Sequence, residues 1–159
     1  RFWSSPACHD WHCRARQNDR QEEVVLETLW PQEEFVEARP TDDTNEYSLV
    51  QKLTYGETQV LLTGDITFDI LNQIMESERS INILKAPHHG SYTGINEDTF
   101  SYIKPQIVII SDGKDNRYGH PHSSVLKELK KNKIPYLRTD EMGEIEFVSD
   151  GERVWLEGK

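Results

Sequence analysis

Three short polar segments of the sequence contain the residue types that metal-assisted hydrolysis uses. They are Gly64-Asp65, His88-His89-Gly90-Ser91 and the stretch 116–122, and the last two hold four of the six histidines. A carboxylate oxygen and an imidazole nitrogen are donors that zinc or manganese accepts, and such an ion makes hydroxide available near neutral pH for attack on phosphorus or a carbonyl carbon. The pattern therefore indicates a divalent-metal site, although a catalytic zinc usually has three protein ligands and the rest must come from elsewhere.

Each segment also has a purely structural interpretation. Asp65 could cap a helix that begins near Thr67, and its position alone favours capping. The adjacent residues His88 and His89 should point in different directions, and the tight turn that follows them favours a functional role for the pair. In the third segment His122 could cap the next helix behind Pro121, so His120 is the better functional candidate there.

Alternating strands and helices must position these segments. The pattern predicts strands over 23–30, 47–55, 59–63, 81–86, 106–111 and 134–138, helices over 67–78, 97–103 and 123–132, a loop over 31–45, and a closing hairpin over 144–148 and 153–156. The continuous apolar run Val60-Leu61-Leu62 predicts an inner strand that is buried on both faces. This order is typical of a layered α/β domain in which the polar segments meet at one sheet edge.

Length and composition bound the remaining possibilities. A chain of 159 residues fits one domain, and a net charge of -10 argues against tight tracking of nucleic acid by this chain alone. No apolar run is long enough to span a membrane, and the start lacks a signal-peptide pattern, so we expect a piece of a longer protein. Residues 1–22 predict an irregular lead-in, in which Cys8 and Cys13 could form a disulfide, remain free thiols or join His9 and His12 around zinc; a role other than zinc binding is favoured.

Five strings in this order resemble the metallo-β-lactamase fold hydrolases of the ComEC-type competence group and their secreted relatives, including the phosphorylcholine esterases. The strings are Asn45 with Ser48-Leu49-Val50, Leu61-Leu62-Thr63-Gly64-Asp65, Leu84-Lys85-Ala86-Pro87-His88-His89-Gly90-Ser91, Asn116-Arg117-Tyr118-Gly119-His120-Pro121-His122, and Arg138-Thr139-Asp140 with Gly143. The resemblance covers about residues 45–157. It implies that residues 23–159 are the C-terminal part of a metallo-β-lactamase-like αββα sandwich.

The same resemblance implies a set of site residues. Asp65 resembles the metal-bridging aspartate of the family and His89 its late metal-ligand histidine, while His88 resembles a catalytic partner that either supports the metal ligands or donates a proton. The intact family site would hold two divalent ions, zinc or manganese. We assign substrate binding to Asn45, Ser91, Asn116 and His120. Asp65 and His89 should then approach within about 5 Å of each other, with only one of the two histidines facing the aspartate.

The function implied is metal-dependent hydrolysis of phosphodiester-type bonds, as in a nuclease-like domain attached to a DNA-uptake channel. DNA or a phosphoester would be the substrate, and the full-length protein would be tethered to a membrane channel outside the cytoplasm. The family's principal metal motif, His-x-His-x-Asp-His, is absent from this chain. Enzyme activity of the chain itself is therefore undecided. The alternatives are a degenerate interaction domain without catalysis and a secreted phosphorylcholine-type hydrolase.

Overall fold

A six-stranded mixed sheet organises residues 23–76 and 81–158, the part of the chain that the computed structural model describes. The strands lie side by side in chain order: β1 (Val24–Trp30), β2 (Val50–Tyr55), β3 (Thr58–Leu62), β4 (Ile83–Lys85), β5 (Ile107–Ile110) and β6 (Tyr136–Arg138). The first three are antiparallel, and β3 to β6 are parallel. The mixed α/β class predicted from the sequence is confirmed.

Helices connect the parallel strands and cover one face of the sheet. They are α2 (Phe68–Met75) between β3 and β4, α3 (Thr99–Tyr102) between β4 and β5, and α4 (Ser123–Lys131) between β5 and β6. Right-handed crossovers between neighbouring strands place successive helices on the same side. The core therefore joins alternate strand residues to the apolar sides of the helices, including Leu61, Leu84, Val108, Ile110, Leu71, Met75, Val125 and Leu129.

The opposite side of the sheet, which we call the open face, carries an apolar row that the helices do not cover. Strand registers place Leu26, Leu53, Val60, Ile83 and Ile107 side by side across five strands, and this row is exposed at Leu26 on the edge strand but buried at Ile83. Leu62, one pleat further along β3, is 38% exposed, whereas its neighbour Leu61 is fully buried. The prediction that β3 is buried on both faces is therefore wrong for the described residues, because all three crossover helices pack on one side.

Two further predictions need correction. The segment 31–45 is not a continuous loop, because it contains helix α1 (Glu33–Ala38) and begins a single 3-10 turn over Thr44–Tyr47. The ring of Phe35 packs 4.4 Å from that of the buried Trp30, and this contact gives the short helix a reason to form. Asp65 does not cap α2, since Thr67 occupies that position, whereas His122 does cap α4 by accepting a hydrogen bond from the Ser124 N–H.

A two-stranded sheet closes the described chain. Strands β7 (Phe147–Ser149) and β8 (Val154–Leu156) follow the short helix α5 (Thr139–Met142). The Ser149 hydroxyl lies 2.6 Å from that of Thr58, and the Glu57 N–H donates to the Gly151 carbonyl. This hairpin therefore attaches to the start of β3.

Between residues 23 and 158, outside the gap at 77–80, no helix has the length and apolar character needed to cross a membrane. The predicted lead-in, with Cys8 and Cys13, lies outside the described residues.

Replacing leucines on the two sides of the sheet should separate the covered face from the open one. Leu84→Ala should lower the free energy of unfolding by about 2–5 kcal/mol, because it leaves a cavity under the helices. Leu62→Ala is the matched control and should cost less than about 1 kcal/mol. Urea denaturation of both variants measures the difference, and equal losses would contradict an open face.

Candidate active site

The three polar segments meet where the parallel strands end. Asp65 follows β3, His88 and His89 follow β4, and the loop that starts at Ser111 follows β5. Backbone hydrogen bonds tie the segments together: the His88 N–H donates to the Gly64 carbonyl at 3.0 Å, and the His122 N–H donates to the Gly90 carbonyl at 2.9 Å. The sequence-based expectation that these segments share one sheet edge is confirmed.

Two glycines allow this close approach. Gly64 has φ +54°, and a side chain there would place its Cβ 2.8 Å from the Cβ of Ser48. Gly90 has φ +76°, and a Cβ there would lie 2.9 Å from that of Pro121. Both positions combine a left-handed backbone with a contact that excludes a side chain. Gly90 therefore lets the His88–Ser91 segment pack on Pro121, and Gly64 lets the end of β3 pack on Ser48, just before β2.

The paired histidines also have left-handed backbones, with φ of 47° at His88 and 55° at His89. Non-glycine residues adopt this region at a cost of about 1–3 kcal/mol and are enriched at functional sites. Their side chains contact different partners. His89 faces Asp65 and Ser111, whereas His88 contacts Thr93. The prediction that only one of the pair faces Asp65 agrees with these contacts.

His89 and Asp65 form the most specific pair in the cluster. The Ser111 carbonyl can only accept, so Nδ1 of His89, 2.6 Å away, carries the proton and donates it. The remaining nitrogen, Nε2, lies 3.7 Å from Oδ1 of Asp65, within the expected 5 Å. In a neutral imidazole both facing atoms carry lone pairs. A positive charge between them, either a proton on Nε2 or a cation, makes the arrangement favourable.

The pair suits a metal ion but does not complete a site. A backbone carbonyl that orients a histidine through Nδ1 is the usual support for a ligand that binds through Nε2. Two ligand bonds of about 2.0–2.2 Å can also span the 3.7 Å separation. However, among residues 23–76 and 81–158 no three or more His, Cys, Asp or Glu side chains are grouped to hold an ion. The described residues therefore supply two donors, fewer than a catalytic zinc uses.

His88 is held by a short chain of hydroxyl groups. Its Nδ1 lies 3.3 Å from the hydroxyl of Thr93, which in turn lies 3.0 Å from that of Ser91. Ser91 is buried, and its Oγ also accepts from the Thr93 N–H. This geometry gives Ser91 a way to position His88, while its predicted contact with substrate remains a prediction. Thr93 was not expected from the sequence, because a threonine two residues after the motif carries no signal of its own.

The loop after β5 is closed by Asn116. Its amide nitrogen donates to the carboxylate of Asp112 at 2.9 Å and to the carbonyl of His120 at 2.6 Å, while its amide oxygen accepts from the His120 N–H at 3.0 Å. Thr139 anchors the loop to the end of β6, since its hydroxyl accepts from the Asp112 N–H and donates to the Asp112 carbonyl. The amide of Asn116 thus holds His120 in place, and its own contact with substrate remains a prediction.

His120 lies beside His88, with ring centroids 5.8 Å apart in an edge-to-face arrangement. Burial lowers the pKa of His120 below its usual value; the Asp112 carboxylate opposes this, while charge on His88, His89 or His122 adds to it. The Nδ1 atom is buried and has no hydrogen-bond partner within the described parts of the chain. The arrangement therefore favours an uncharged imidazole that can accept a proton.

Lys85 is a site residue that sequence reasoning missed. Its ammonium group donates to the carbonyls of Ala86 at 3.2 Å and Gly64 at 3.5 Å. Burial lowers the pKa of Lys85, and the nearby Asp65 carboxylate opposes that shift. The signal was its place in the apolar run 81–86, because that strand lies beside β3, the strand that Asp65 follows. A cation therefore adjoins the carboxylate of the His89–Asp65 pair.

Asn45 reaches this edge only indirectly. It lies in the 3-10 turn Thr44–Tyr47, and its carbonyl accepts from the N–H of Ser48, the residue that packs against Gly64. Its backbone N–H donates to the carboxylate of Asp43. The assignment of Asn45 to substrate binding remains a prediction.

Comparison with known proteins relates this region to two larger bacterial proteins. The chain is 37% identical over 113 residues to ComE operon protein 3 of Bacillus subtilis. The aligned segment covers 70% of the chain and 15% of that protein. It is 33% identical over 101 residues to Recombination protein 2 of Haemophilus influenzae, covering 64% of the chain and 13% of that protein. The chain is thus homologous to a small part of each relative. No known protein family profile matches it.

The ring of His120 should gain its proton at a lower pH than an ordinary histidine, whose pKa is about 6.5, because burial disfavours the imidazolium. As the pH falls below about 6.5, the unfolded chain takes up this proton before the folded chain does. The free energy of unfolding should therefore decrease as the pH falls through that window. An NMR titration measures the midpoint, and His120→Gln identifies the signal by its loss. A midpoint at or above 6.5 would show that the ring is not shielded.

Proposed function

We propose that this chain is the C-terminal part of a competence-type hydrolase domain with the metallo-β-lactamase fold, and that it supplies half of a phosphodiesterase site. The observation that carries the proposal is the His89–Asp65 pair, in which Nε2 faces Oδ1 at 3.7 Å while the Ser111 carbonyl holds Nδ1. Packing alone gives no reason to place these groups together at an exposed sheet edge. The names ComE operon protein 3 and Recombination protein 2 suit a role in competence and DNA handling.

The open face supports the layered fold. An apolar row of side chains across five strands is the surface that a second sheet covers in a sandwich, with helices on the outer sides. In the proposed domain, that second sheet comes from residues beyond those described, and it brings the remaining metal ligands to the same edge. The two-donor set of this chain is then one side of a shared site.

The residues of this chain would divide the work. Asp65 and His89 would hold divalent zinc or manganese, which when bound supplies Lewis acidity toward water and the phosphodiester. Lys85 would balance the charge of Asp65 and of an incoming phosphate. His88, supported by Thr93, would donate a proton to the leaving oxygen, and the uncharged His120 would accept hydrogen bonds from substrate or water.

A second candidate is an interaction domain that keeps the fold without catalysis. The observation that favours it is the lack of any group of three or more potential ligands between residues 23 and 158, excepting the undescribed 77–80. The candidates differ in one measurable property, which is the metal content of the full-length protein. Elemental analysis of that protein should find zinc or manganese if the site is shared, and none if it has been lost.

The hydrolase proposal predicts that the isolated chain binds zinc weakly and cleaves bis-p-nitrophenyl phosphate no faster than background. Two protein donors leave an ion with most of its own waters, none of which is strongly activated. An extended polypeptide that also carries the remaining ligands of the proposed site should gain zinc affinity, thermal stability in zinc and turnover together, because one site is completed.

In the extended polypeptide, Asp65→Asn and His89→Ala should each reduce turnover by more than about 100-fold, since even groups that only support a ligand cost about 10–100-fold. Lys127→Ala, on the exposed side of α4, is the matched control and should change nothing. Full activity of the short chain would show that its ligands are assigned wrongly. Zinc-independent activity of the extended one would refute the metal mechanism.

A further inference from the structure

Two exposed tyrosines lie beside the candidate site. Tyr118 is 69% exposed and Tyr92 is 63% exposed. Among the exposed large hydrophobic side chains in the described part of the chain, these two have the largest exposed fractions. Tyr92 follows the His88–Ser91 segment directly, and Tyr118 lies between Asn116 and His120. Single exposed aromatics are common on protein surfaces, but two in the loops that carry the site histidines point to a ligand.

Ring contacts connect these tyrosines to the site. The ring of Tyr118 is nearly parallel to that of His120, with an interplanar angle of 17° and centroids 6.1 Å apart. His120 in turn meets the edge of His88 at 5.8 Å. On the other loop, the ring of Tyr92 lies 5.3 Å from that of His122. A flat ligand group that stacks on Tyr118 would therefore be separated from His88, the proposed proton donor, by the rings of Tyr118 and His120.

The positive charge of Arg117 beside Tyr118 favours one of the two kinds of ligand that aromatic rings bind. Tyrosine rings accept either a quaternary ammonium group, through cation–π attraction, or a flat nucleobase, through stacking. The guanidinium of Arg117 already lies 5.1 Å from the centre of the Tyr118 ring, and its Nη2 donates to the Tyr118 hydroxyl at 3.0 Å. A second cation at this ring would be repelled, whereas a nucleotide brings a phosphate that Arg117 can bind and a base that its planar group can flank.

We infer that Tyr118 and Tyr92, with Arg117, form a stacking surface for unpaired nucleobases, so that the site takes single-stranded nucleic acid rather than a choline phosphoester. This inference rests on the proposed function for the identity of the reaction, but the surface itself requires no metal. Bases in a duplex have their faces covered by their neighbours, so only unpaired nucleotides can present a free face to Tyr118.

The experiment measures binding of fluorescently labelled oligonucleotides to the 159-residue chain in EDTA at about 0.15 M salt, which screens the repulsion between the strand and the net charge of -10. The probes are a ten-nucleotide oligothymidylate, an abasic deoxyribose-phosphate strand of the same length, and the thymidylate strand paired in a duplex. Oligothymidylate should bind most tightly. Tyr118→Ala should weaken its binding by about 5- to 150-fold, the range measured for loss of a stacked base. Tyr118→Phe keeps the ring and should bind as well as the unmodified chain.

Tyr102→Ala is the matched control, because Tyr102 is 48% exposed but lies on α3, outside all three polar segments. It should leave binding unchanged. Equal binding of the abasic and thymidylate strands, or unchanged binding of Tyr118→Ala, would overturn the stacking surface, as would the absence of binding to any strand. Displacement of oligothymidylate by submillimolar phosphocholine would instead favour the choline ligand. Because no metal is present, these outcomes are independent of whether the hydrolysis assay succeeds.

Discussion

The hydrogen bond from the His88 N–H to the Gly64 carbonyl holds the candidate site together. It joins the turn after β3 to the turn after β4 at 3.0 Å, and both residues have left-handed backbones, with φ of 47° at His88 and 54° at Gly64. Once these turns are joined, His89 is directed between Ser111 and Asp65. The pair geometry is therefore a consequence of backbone packing rather than of attraction between the two side chains, which are both partly solvated and would gain little by themselves.

Much of this fold follows from local sequence pattern. The apolar run at Ile107–Ile110 predicts a strand, and the helical spacing of Val125 and Leu129 predicts a helix. The structure has a strand and a helix at these positions. Because strands alternate with helices, the parallel order and the shared edge follow from general rules of chain connection. The short helix at Glu33–Ala38 could not be foreseen in the same way. It depends on the packing of Phe35 against Trp30, a tertiary contact that an acidic, proline-flanked sequence does not reveal.

The residue types of the site could be predicted from the sequence, but the hydrogen bonds among them could be predicted only in part. A histidine pair after a buried strand predicted that one ring would face Asp65, but not that the Ser111 carbonyl would fix its tautomer. The amide of Asn116 looked suited to a ligand, yet three of its hydrogen bonds close its own loop around Asp112 and His120. Sequence shows which groups are available. Which of these groups already form hydrogen bonds within the protein depends on which residues the fold brings close together. The burial of Lys85 depends on the fold in the same way.

The open face has a consequence for the colloidal behaviour of the chain. Two copies that met through the exposed end of this row, at Leu26 and the nearby Val24 on the edge strand β1, would remove hydrocarbon from water. A net charge of -10 opposes that encounter near neutral pH. The opposition weakens as salt screens the charge and vanishes near the isoelectric point of about 5.0. Acidity and salt, rather than unfolding, should therefore set the conditions under which isolated copies of this chain associate.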